Sequence, residues 1–107
     1  MTVYVVQELP QFNIIDALRF GDISVVLPPG NMSFNTQATV KKAYQNLRNF
    51  TSEDYLLMIG DPVAMSICFT TAVALAGGTI NILKWDRQTK AYFPVKVDML
   101  QIIGEQN

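Results

Sequence analysis

Histidine is absent from this 107-residue chain, which removes Ser-His triads, Cys-His dyads and the common zinc ligand sets together. Cysteine occurs once, at Cys68 in an apolar run; an intramolecular disulfide is excluded, and a buried structural thiol is the expectation. Charge is scarce, at 16% of residues against about 25% in ordinary soluble domains. The eight basic and nine acidic residues are scattered, with Lys41-Lys42 the only adjacent basic pair, so no stripe suited to phosphate contacts is readable and no nucleic acid partner is expected. The N-terminus lacks the basic and apolar regions of a signal peptide. The longest apolar run, Val63 to Ala76, is too short to span a bilayer and contains Ser66, Thr70 and Thr71. These absences together predict a cytoplasmic protein that spans no membrane.

What is present is apolar residue in quantity, 50% of the chain. The length suits one core and no second one. The expected layout is a single domain over 1–98 followed by a flexible tail over 99–107. So much apolar residue with so little charge leaves uncharged surface to cover, and self-association is the simplest outlet.

Val-rich Thr2–Gln7 and β-branched Asp22–Leu27 read as strands, the second stopped by Pro28-Pro29-Gly30-Asn31. Phe12–Phe20 between them suits a helical turn or two. From Thr36, the spacing of Val40, Ala43, Tyr44, Leu47 and Phe50 predicts an amphipathic helix capped by Asn35 or Thr36, with Lys41, Lys42, Gln45, Asn46 and Arg48 facing away. Tyr55–Ile59 reads as a buried strand. Asp61 as N-cap and Pro62 as first helical residue then open a helix that Gly77-Gly78 stops. No charge lies between Pro62 and Gly78, and a helix apolar all round needs cover: it is either packed tightly within the domain, which its small residues also suit, or part of an oligomer interface, the favoured reading for so small a domain. Thr79–Leu83 and Ala91–Val97 read as strands of a hairpin with Lys84–Lys90 as its loop, Pro94 requiring an edge or a bulge. The fold class is α/β: a small open sheet of about five strands with a parallel centre, two main helices and a C-terminal antiparallel hairpin.

Tyr-Leu-Leu-Met-Ile-Gly-Asp-Pro at 55–62, Leu-Lys-Trp-Asp-Arg-Gln at 83–88, Tyr92, Pro94 and the opening Tyr-Val-Val-Gln at 4–7 resemble a set of small proteins of unknown function from tailed bacteriophage genomes. The resemblance covers most of the chain. It implies a host-cell cytoplasmic setting and carries no activity with it.

Ligands dock at the carboxyl ends of parallel strands. Here those ends offer Gln7 and Glu8, Pro29 to Asn31, Gly60 and Asp61, and Lys84, Trp85, Asp86 and Arg87. Glu8, Asp61 and Asp86 form an acidic trio of the kind that holds Mg²⁺ in phosphoryl enzymes. However, no second carboxylate lies within two residues of Asp61 or Asp86, and capping accounts for Asp61. A phosphate at the Gly60-Asp61-Pro62 helix start would compete with that carboxylate, and no Gly-rich phosphate loop is present. No catalytic residue, metal or cofactor is therefore assigned. Lys84-Trp85-Asp86-Arg87 has the composition of an interface hot spot, and equally that of a turn in which Trp85 covers the sheet end while Asp86 and Arg87 shape the hairpin. The leading expectation is a non-enzymatic accessory protein that contacts a host or phage protein, as a homodimer. The alternative is a small-ligand or nucleotide domain using the C-terminal edge of the sheet, where Glu8, Asn31, Gly60, Asp61, Lys84, Trp85, Asp86 and Arg87 would gather, with or without a divalent metal.

Overall fold

The run Val3–Gln7 is buried residue by residue, which fits only a strand covered on both faces and paired on both edges. In the computed structural model, which describes residues 1–31 and 34–105, this strand, β1 (Thr2–Gln7), pairs in parallel with β2 (Asp22–Leu27) on one side and with β3 (Tyr55–Leu57) on the other. β4 (Thr79–Asp86) lies parallel to β3, and β5 (Ala91–Asp98) returns antiparallel along β4. The sheet order β2-β1-β3-β4-β5 is the α/β arrangement expected of the sequence, with its parallel centre and C-terminal hairpin.

From β1 the chain steps to one side and afterwards always to the other, so right-handed crossovers must use opposite faces. The first connection accordingly crosses one face as a short 3-10 helix, Ile15–Phe20, whose Ala17 packs with Val3, Val5, Leu57, Leu83 and Tyr92. Helices α1 (Thr36–Leu47) and α2 (Pro62–Leu75) cover the other face, enclosing Tyr4, Val6, Leu56 and Ile80.

Asn35 caps α1 by accepting from the Ala38 N–H at 3.1 Å. The helix is rotated from the expected stripe: Thr39, Ala43 and Leu47 are buried, whereas Val40 and Tyr44 stand about half exposed. Two hydrogen bonds account for the rotation. The Thr39 hydroxyl donates to the Asn35 carbonyl at 3.1 Å, which permits its burial, and Asn46 donates to the Val26 carbonyl on β2 at 2.7 Å. In α2 the residues facing the sheet, Ala64, Cys68 and Ala72, are small and four apart, so the helix lies close to it.

β3 is shorter than the expected Tyr55–Ile59, because the chain leaves the ladder after Leu57. β4 is longer than expected: Lys84, Trp85 and Asp86 pair with Phe93, Tyr92 and Ala91 as strand, not loop. Pro94 sits on the edge strand. Tyr92, two residues before it, sends its N–H and carbonyl away from β4 to Asp16 and Arg19, so the Pro94 nitrogen also faces outward and no ladder donor is lost. After β5 the chain forms a third helix, α3 (Leu100–Glu105).

Candidate functional site

Between β1 and β3 the sheet order reverses direction, and a crevice at such a point is where an open α/β sheet binds ligands. In this chain the crevice is closed by a side chain. Gln7, the last residue of β1, is 1% exposed. Its amide nitrogen donates to the carbonyls of Pro28 and Gly30, at 2.8 and 2.9 Å, and its amide oxygen accepts from the Asp61 N–H at 2.6 Å. One side chain thus joins the ends of three strands, with its two amide hydrogens and its carbonyl in use.

The neighbouring residues fit that clasp. Gly60 takes φ +137°, and a Cβ there would fall on the Gln7 amide oxygen, so glycine is required on both grounds. Asp61 accepts from the N–H groups of Val63 and Ala64 at 3.0 and 3.3 Å, capping α2, with Pro62 at its first turn. An anion at this helix start would displace that cap. Glu8 is exposed beside Leu9, Pro10, Phe12 and Pro29, around an open cleft. Asn31 lines a second cleft with Leu27, Pro28, Phe34 and Lys42. Among the described residues no three His, Cys, Asp or Glu side chains are grouped as a metal would need.

Glu8, Asn31, Gly60 and Asp61 therefore belong to the strand ends gathered by Gln7. Lys84, Trp85, Asp86 and Arg87 belong to the β4–β5 hairpin, which runs on past the Leu57–Leu83 register that closes the parallel ladder. Its tip is tied together internally. Asp86 accepts from the Gln88 N–H at 3.0 Å and from the Thr89 hydroxyl at 2.8 Å, and Lys90 N–H donates back to the Asp86 carbonyl at 2.8 Å. The Thr89 hydroxyl and the Gln88 N–H hold the Asp86 carboxyl below its ordinary range. Next to its turn the hairpin is fastened to the first connection: Tyr92 N–H donates to Asp16 at 2.8 Å, its hydroxyl to the Asn13 carbonyl at 2.9 Å, and Arg19 donates to the Tyr92 carbonyl. Trp85 meets Tyr92 edge to face at 4.9 Å and remains 39% exposed.

The residue types at the strand ends pointed to a site, but the role of Gln7 as their common partner carried no local signal. Its partners lie 21, 23 and 54 residues away. The outward face of α2 is the other surface of note. Ser66, Thr70 and Ala74 are exposed in a row, and the hydroxyls of Ser66, Thr70 and Thr71 donate to the carbonyls of Val63, Ser66 and Ile67. With its hydroxyl donors turned inward, this row is flanked by Ile67 and Val40 on one side and by Phe69, Val73 and Met99 on the other.

Fold and site together define a small α/β protein whose strand-end crevice is filled by its own side chains and whose helical layer presents an uncharged face. The chain belongs to the Phage Pam3 gp32-like protein family, whose model matches residues 1–99, in agreement with the bacteriophage resemblance of its motifs. No curated protein and no solved structure gives a match.

Proposed function

We propose that this member of a phage protein family is a non-enzymatic accessory protein that acts in the host-cell cytoplasm through protein contacts, as a homodimer joined by the outward face of α2. The observation that carries the reading is the row Ser66, Thr70 and Ala74 on a helix without charge from Pro62 to Gly78, beside an apolar groove of Phe69, Val73 and Met99.

The sheet edges are poor alternatives for pairing. Asn46 occupies the Val26 carbonyl on β2, while on β5 Asp16 and Arg19 occupy Tyr92 and Pro94 has no N–H to offer. The ligand-binding alternative has the Gln7 clasp against it, since a ligand at the switch point would have to displace hydrogen bonds already made. The test is light scattering at micromolar concentration. A mass near twice 12.0 kDa is expected for the native chain and a monomer for Thr70→Arg, which places a charge in the row; a native mass near 12.0 kDa refutes dimerisation.

A further inference from the structure

The hairpin tip is a second surface, distinct from α2 and of opposite character. Lys84, Arg87 and Lys90 are exposed on it, and the only ion pair among the described residues joins Arg19 to Asp16, which hold the Tyr92 backbone and leave these three cations out of it. Asp86, the one carboxylate of the tip, is spent on the Gln88 N–H and the Thr89 hydroxyl. Trp85, on the face it shares with Tyr92, is 39% exposed, and Phe93, on the opposite face with its cross-strand partner Lys84, is 41% exposed. The prong is preformed, because its turn is tied through Asp86 and the strand beside the turn through Tyr92, so little ordering cost remains on binding. Building on the protein-contact reading above, we propose that the tip is a docking prong for a carboxylate-rich surface of a partner protein, with Lys84, Arg87 and Lys90 pairing its acids and Trp85 serving as apolar anchor.

Two observations favour acidic protein over nucleic acid. Lys84–Lys90 carries +2, so the remainder of a chain whose net charge is −1 carries −3 and repels a polyanion that extends past the tip. The three cations fall within seven residues and are interrupted by Asp86, too short a run to follow a phosphate backbone but enough to meet a local cluster of carboxylates.

Trp85 is the sole tryptophan, and its fluorescence reports on the tip directly. The full chain is titrated with a synthetic Glu/Asp-rich peptide and, separately, with single-stranded oligothymidylate of matched charge. The peptide is expected to shift Trp85 emission saturably, with salt weakening the effect. The variant Arg87→Glu with Lys90→Glu is expected to bind about tenfold more weakly at an unchanged melting temperature. Lys41→Glu with Lys42→Glu makes the same charge change on α1 and is expected to bind as the native chain does. No emission change with the peptide, an equal loss in the α1 variant, or tighter binding of the oligonucleotide overturns the proposal. Thr70→Arg is expected to retain the response; a failure of dimerisation appears in the mass and a failure of the prong in this titration.

Discussion

The strand-end crevice and the outward face of α2 differ in a way that reverses the usual search for a site. The crevice holds the residues with chemistry, Gln7, Gly60 and Asp61, and they are committed to one another. The helix face has almost no chemistry, and none of the described residues covers it. Polar groups gathered at a topological switch point can be the fastening of the fold, while the surface left for partners is marked by the lack of charge. A buried polar network closed on itself costs most when one member is removed, whereas an uncharged face tolerates change until a partner is present.

The largest effect expected in the fold follows from opening the clasp. Gln7→Ala leaves the Pro28 and Gly30 carbonyls and the Asp61 N–H without their partner, and a loss of roughly 2–4 kcal/mol is expected in denaturant unfolding. A loss under about 0.5 kcal/mol would mean that the crevice is held by something else. Next in size is the cap: Asp61→Ala is expected to cost about 1 kcal/mol by the same measurement, and Asp61→Asn much less.

A smaller effect is set by pH. Burial pushes the Cys68 thiol up to about 12, from 9.0. A raised folded value contributes stability that is complete below the unfolded one and is lost as pH rises, so the loss is about 0.4 kcal/mol at pH 9 and grows toward pH 12. Cys68→Ala removes this component of the alkaline decline; a decline unchanged in that variant would assign it to other groups. The smallest effect is local. In Thr89→Ala the Asp86 carboxyl, followed by NMR, should titrate closer to its ordinary range, because the hydroxyl that chiefly lowers it is gone.

Legibility in the sequence followed the range of the interactions. Asp61-Pro62 with the uncharged run behind it predicts the start of α2, because a cap and a first turn are made by adjacent residues. The Val-rich run predicts β1 to the residue. The hydrophobic pattern does not predict the buried face of α1, because Thr39 competes with Val40 for the core and a bond from its hydroxyl to the Asn35 carbonyl decides the outcome. The extension of β4 through Lys84–Asp86 is hidden for a related reason. Those residues look like loop, and only their pairing with Ala91–Phe93 makes them strand. At the candidate site the sequence named the strand-end residues but not Gln7 as the hub, since three long-range hydrogen bonds define that role.

The contrast between a closed polar end and an associating helix face is tested most directly by hydrogen exchange of the native chain at rising protein concentration. Protection of the α2 peptide, residues 62–75, is expected to increase with concentration, while peptides carrying Gln7, Pro28 to Gly30 and Gly60 to Asp61 keep the same exchange throughout. Exchange in α2 that is independent of concentration, or a change confined to the strand ends, would contradict the account.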